Sequence, residues 1–280
     1  MRRNNEDRLL GGHKPTPTEE TPQRGPNPMD FVTPSDVVDL PSKGRYPDGH
    51  PLKGCDTIEI RHMTAKDEDI LTSRSLLKKG LAIDRLIQNL IVDKRINAQH
   101  LYIGDRNAII IHARAAAYGI EYKTKITCPN CGELSKFKFS LTNCTVYHGD
   151  DTEDLDISDL GDGTFEVELP LSTIKTVIRP LMGLDELEMI KNTKSKDALE
   201  NLITKQMKRF VVSFNGYDDD RTVNYVIENM VATDSRYLRD CFRLISPDII
   251  LKDDFVCREC GHEEVMSVPF GADFFWPDGS

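Results

Sequence analysis

Basic residues are in deficit in this chain, with 36 Lys and Arg against 46 Asp and Glu and a net charge of −10. A phosphate-tracking protein needs the opposite balance, so wholesale nucleic-acid binding is not expected. Long apolar runs are missing too. The longest, such as Ala108 to Ala117, is too short and too often broken by charge to cross a bilayer, which predicts a soluble chain without membrane insertion. Behind Arg2, Arg3 and Arg8 there is no apolar h-region, so no secretory signal is expected and the compartment reads as reducing, or at least not secretory. Aromatics make up 7%, with a single Trp. There is no G-x-x-x-x-G-K-[ST], G-x-G-x-x-G, G-x-S-x-G or H-E-x-x-H, and so no visible seat for catalysis. What remains, at 280 residues, is enough chain for one large domain or two small ones.

Seven cysteines is an odd number, and four of them stand as Cys128-Pro-Asn-Cys131 and Cys257-Arg-Glu-Cys260. In a non-secreted chain that pattern reads as metal rather than disulfide. Two residues of spacing let both thiolates face one ion, and Gly132 and Gly261 relieve the backbone behind them. A structural Zn2+ held by Cys128, Cys131, Cys257 and Cys260 is the expectation, because four cysteines leave no open position for substrate. Residues 132 to 256, 125 in all, separate the pairs, against roughly 15 to 20 in a compact ribbon. The second block therefore reads as an insertion within the ribbon, with the metal as its clasp. His262 reads as a plain surface side chain, Cys144 as a small buried or semi-buried thiol rather than a ligand, and Cys241 as helix core. A Cys55–His62 nucleophile has nothing to position it.

The first 34 residues hold six of the fifteen prolines and few apolar residues. Such a stretch cannot fold alone, and it is either a disordered leader or an arm that wraps a neighbouring subunit. Residues 31–54 are turn-rich, through Leu40-Pro-Ser-Lys-Gly-Arg45 and Pro47-Asp-Gly49. Asp56–Arg61 alternates as a strand. Thr64 and Asp67 form a capping box before a helical apolar pattern, which Gly80 divides, the second helix starting near Asp84. Asp105 is placed to cap a third helix, with Gly119 as its stop. Glu121–Thr127 and Ser135–Ser140 form a hairpin turned by the first knuckle. Strands are predicted over 165–169 and 174–178 and helices over 184–191, 197–212, 222–231 and 235–244. Short strands at 253–256 and 264–268 flank the second knuckle.

Lys123, Lys125, Lys136 and Lys138 cluster with Phe137 and Phe139, the one local argument for nucleic acid. Residues 150–162 are acidic without a base, and no frame supplies both the Gly and the Glu of a calcium loop. Phe274-Phe275-Trp276 either packs back on the core or anchors a partner.

From Leu40-Pro-Ser-Lys-Gly44 and Tyr46, through Ile58-Glu-Ile-Arg61, to Met63-Thr-Ala-Lys-Asp-Glu-Asp-Ile-Leu71, the chain resembles the baseplate proteins of T4-like contractile-tail phages. Those begin with L-P-S-x-G-x-x-Y, from which Tyr46 departs by one position, then a strand, then a T-x-x-E-D/E-x-x-L helix. The resemblance spans roughly residues 35 to 140, and the two knuckles strengthen it. It implies a structural component of the baseplate hub in the virion tail, made in the host cytoplasm. Other tail proteins would be its partners in a symmetric hetero-oligomer. A hub assembly chaperone and a nucleic-acid-associated zinc-ribbon protein are the alternatives.

The fold expected is α+β. A Pro-rich arm (1–34) precedes a mainly helical block (35–120), and ribbon halves (121–149 and 251–280) flank an inserted lobe (150–250). Lys43, Arg45, Tyr46 and Trp276 are the candidate partner-binding residues, being of the types that dominate interface cores. Alternatively, Tyr46 packs under its own loop and Trp276 covers the ribbon. Limited proteolysis tests the arm: cleavage within residues 1–34 of the isolated chain is expected, with protection on assembly, and resistance in the isolated chain would mean the arm folds by itself.

Overall fold

The turn-rich start conceals a strand. β1 (Ser35–Asp39) pairs antiparallel with β2 (Thr57–Arg61), Ser35 opposite Arg61 and Asp39 opposite Thr57, with residues 40–56 as the connection. A computed structural model of the chain describes residues 32–151, 155–193, 201–268 and 274–275, without the side chains of 191–193. Pro34–Ser280 forms one unit. The N-terminal arm up to residue 31 and Trp276 lie outside the described residues.

The capping box is present at α1 (Ala65–Thr72), where Asp67 accepts from the Thr64 N–H and hydroxyl at 2.8 Å each. The Arg61 guanidinium also grips Asp67, through two bonds of 2.7 and 2.9 Å. Ser73 breaks the predicted first helix, so α2 (Arg74–Lys79) follows before Gly80 ends it at φ +74°. α3 (Ala82–Leu90) starts two residues earlier than predicted and buries Leu86, Ile87 and Leu90 completely.

α4 (Ile103–Tyr118) corrects the role given to Asp105. Tyr102 is the N-cap, and Asp105 lies inside the first turn with no exposure. Its carboxylate points sideways into the 40–46 turn and accepts from the Ser42 N–H (2.9 Å), the Ser42 hydroxyl (2.6 Å) and the Tyr46 hydroxyl (2.7 Å). Buried donors need partners more than a helix end does, because the helix end can use water. Burial raises the Asp105 pKa, against the pull of Ser42 and Tyr46.

β3 (Glu121–Thr127) and β4 (Leu134–Ser140) form the predicted hairpin around the first knuckle. β5 (Cys144–Tyr147) was not foreseen; it joins a second sheet further along the chain. β6 (Ile157–Asp159), β7 (Phe165–Glu168) and β8 (Lys175–Ile178) form an antiparallel meander, part of the acidic stretch becoming its edge. α5 (Gly183–Thr193) and α6 (Leu202–Phe210) follow. The helix predicted over 197–212 ends at Phe210, because Val211–Phe214 extends as β9 and pairs with β8. α7 (Asp220–Asn229), capped by Asp219, and α8 (Ala232–Ile245) complete the lobe. β10 (Asp248–Val256) pairs with β5 and with β11 (Glu263–Ser267), beginning five residues before the predicted strand.

Two main cores result. One joins Ile58, Leu86, Ile109, Tyr122, Phe139 and Leu251 with Phe274 and Phe275. Arg114 holds that C-terminal pair in place, donating to the Phe274 carbonyl (2.9 Å) with its guanidinium 5.2 Å from the Tyr122 ring. The other packs β7 to β9 against α6, α7 and α8 through Phe165, Phe210, Phe214, Leu238, Cys241 and Ile245.

The same parts recur in order in the two halves. Leu40-Pro41 has a counterpart in Leu169-Pro170, Asp105 in Asp234, Cys128 in Cys257 and Cys131 in Cys260, every pair 129 positions apart. Asp234, wholly buried in the first turn of α8, accepts from the Leu171 and Ser172 N–H groups at 2.9 and 3.1 Å, as Asp105 does from Ser42. Arg179 grips Asp185 by two bonds of 2.8 and 2.9 Å as Arg61 grips Asp67, these pairs being 118 positions apart.

Replacing Asp105 by Ala strands three buried donors and is expected to cost about 3 kcal/mol or more in urea unfolding. A loss under about 1 kcal/mol would mean that water satisfies them instead.

Candidate metal centre

Each knuckle is built by its hairpin. The Cys128 N–H donates to the Glu133 carbonyl (2.8 Å) and the Gly132 N–H to the Cys128 carbonyl (2.9 Å). The second knuckle repeats both bonds, Cys257 to His262 (2.8 Å) and Gly261 to Cys257 (3.0 Å). Gly132 and Gly261 lie at φ +74° and +70°, a region that side chains with a Cβ rarely adopt. The two turns face each other over a small core of Phe255 with Ile126, Phe137 and Met266, in which Cys128 and Cys257 are buried.

All four sulfurs lie within 4.8 Å of one another. Cys128 stands 3.7 Å from Cys260, and Cys131 3.7 Å from Cys257. That is far beyond a disulfide bond of about 2.05 Å. It is close to the edge of a tetrahedron with metal–sulfur bonds of about 2.3 Å, which is about 3.8 Å. The four cysteines can hold a metal ion. Sequence reasoning did not foresee the support around them: the His262 N–H and the Asn130 amide, 3.6 Å from the Cys260 sulfur, favour thiolate there and lower its pKa. His262 itself faces Glu264 (3.4 Å) and does not join the four sulfurs.

Of the candidate partner residues, Trp276 lies outside the described residues, and Lys43, Arg45 and Tyr46 do not share one exposed face. Tyr46, read as a surface anchor, is 1% exposed. Its ring is stacked between His50 (4.0 Å) and Tyr102 (4.4 Å), and its hydroxyl, besides donating to Asp105, accepts from the Tyr102 N–H (3.0 Å). Burial, reinforced by the Asp105 charge, drives the Tyr46 pKa far above its ordinary value. The reason for the correction is local: Gly44 at φ +68° turns the chain inward against Cys55, where a Cβ would come within 2.5 Å of backbone. Arg45 is half-buried and donates to the Gly149 (3.2 Å) and His148 carbonyls. Lys43 remains exposed, 3.4 Å from Asp150. Among the described residues no helix is long and apolar enough to cross a membrane.

The sequence matches the family model described as T4 bacteriophage base plate protein over residues 33–276, which takes in the turn, Asp105, Asp234 and the four cysteines of the two knuckles. The chain belongs to that family. It is accordingly an α+β baseplate structural protein, with a place in the virion tail among other tail proteins. No curated relative and no solved structure matches it.

Tyr46→Phe keeps the stacked ring but removes a hydroxyl that both donates and accepts. A loss of about 1–3 kcal/mol is expected by thermal or urea unfolding. An unchanged midpoint would restore Tyr46 to the list of residues free for a partner.

Proposed function

We propose that this baseplate protein is a permanent hub subunit, acting by contact within a symmetric hetero-oligomer, and that Cys128, Cys131, Cys257 and Cys260 hold a structural zinc ion. The observation that carries the reading is the closed set of four sulfurs in a family of baseplate proteins. Four thiolates at tetrahedral spacing suit zinc, and a site with every position taken stabilises rather than catalyses. It ties two hairpins that are far apart in sequence, which suits a subunit that must keep its shape in a large assembly. The N-terminal arm is the segment proposed to wrap a neighbour, and Lys43 is the residue of the 40–46 turn left for contact.

One zinc per chain is expected by elemental analysis of the native protein. Cys257→Ser should lower the melting midpoint by about 10 °C, equivalent to a few kcal/mol in a chain of this size. Substoichiometric metal with an unchanged midpoint would end the zinc reading. Protein composition of purified particles tests the hub reading: the chain should be present in finished virions, and its absence would instead favour an assembly factor.

A further inference from the structure

The outward face of the β3–β4 hairpin carries a charge arrangement that the fold does not need. Lys123, Lys125, Lys136 and Lys138 all point to solvent. The strand register sets Lys123 directly opposite Lys138 and Lys125 directly opposite Lys136. Like charges in directly opposed positions destabilise a sheet. Among the described residues Glu121 alone answers them, at 2.6 Å from Lys138 and 3.9 Å from Lys123, while Lys125 and Lys136 have no ion-pair partner.

The second half of the chain supplies an internal control. β10 and β11 pair in the same register around the same kind of knuckle, and the four corresponding positions are Lys252 opposite Ser267 and Asp254 opposite Val265. One lysine and one aspartate stand there instead of four lysines. A hairpin ending in Cys-x-x-Cys-Gly therefore folds without the lysine lattice, and the cost of that lattice needs a reason outside the fold. Beside it runs a cleft lined by Phe137 and Phe255 together with Lys123, Lys136, Lys138, Arg258 and Asp254.

We propose that this lysine face docks an acidic, extended segment of a neighbouring tail protein. Outward lysines on one strand repeat at about 7 Å. Opposed ones lie about 5 Å apart. Carboxylates at alternate positions of an extended chain repeat at the same distance of about 7 Å. A nucleic-acid duplex fits less well. The neighbouring knuckle exposes Glu259, Glu263 and Glu264, which repel a polyanion long enough to reach them, and the whole chain has a net charge of −10. That the neighbour is a tail protein rests on the baseplate reading above. The docking itself is measured on the purified chain, and so stands or falls apart from any result on particles.

The probes are a short labelled peptide of alternating Glu and Thr, its Gln-Thr analogue, and a duplex DNA oligomer, each titrated into the full-length protein. The Glu-Thr peptide should bind at low ionic strength and weaken as salt is added. Combining Lys125→Gln with Lys136→Gln should weaken it by about tenfold or more. The melting temperature of that double variant should be unchanged or higher, since opposed like charges have been removed. Equal binding of the Gln-Thr peptide, unaltered binding by the double variant, or tighter binding of the duplex would overturn the proposal. So would a fall in melting temperature that accounts for the lost binding.

Discussion

A buried carboxylate organises this molecule. The 40–46 turn bends through left-handed backbone at Lys43 and Gly44, which leaves the Ser42 amide, its hydroxyl and the Tyr46 hydroxyl facing the interior, where water cannot serve them. Asp105 accepts from all three. With the turn fixed, Tyr46 can stack on Tyr102, Arg45 can reach the carbonyls of 148–149, and His148 can contact the Pro41 carbonyl at 2.9 Å. The start of α4 also meets the second half of the chain. At Gly104 a Cβ would lie 2.1 Å from the Pro247 carbonyl oxygen, so glycine is required for the helix to approach that closely. Turn, helix start and the beginning of β10 thus meet at the first turn of α4, the turn held by the Asp105 carboxylate and β10 by the close approach at Gly104.

Much of the architecture was legible because periodicity and punctuation agree locally. The hairpin around Cys128, the helix stops at Gly80 and Gly119, and the capping box at Thr64 were read from adjacent residues and are present. What escaped were elements whose partners are distant. β5 has four residues and forms only because β10, a hundred positions on, lies beside it. β9 ends what reads as a helix, since Val211 finds a place opposite Ile178. Asp105 was misread for a physical reason: an acid in a first helical turn looks like a cap, and nothing local says that it faces inward. The recurrence of parts escaped too, because few residues repeat and the offset changes from 129 to 118 between the turn and the next strand. The long gap between cysteine pairs, read as an insertion, is one copy of those parts.

That recurrence gives the cysteine cluster its form. Each half contributes one buried and one exposed cysteine, Cys128 with Cys131 and Cys257 with Cys260. The closest approaches cross between halves, Cys128 to Cys260 and Cys131 to Cys257, at the same 3.7 Å. The arrangement is approximately two-fold, the kind of site formed where two like units meet. It differs from a compact ribbon, in which a single short stretch supplies both arms.

The separation of the two arms also sets a schedule. At about 5–20 residues per second, the second cysteine pair leaves the ribosome on the order of ten seconds after the first. During that interval Cys128 and Cys131 stand without the other two cysteines, in a hairpin whose opposing wall does not yet exist. A hairpin of two strands is marginal alone. The four-sulfur cluster can therefore form only after residue 260 has been made, and its formation registers that both halves have arrived.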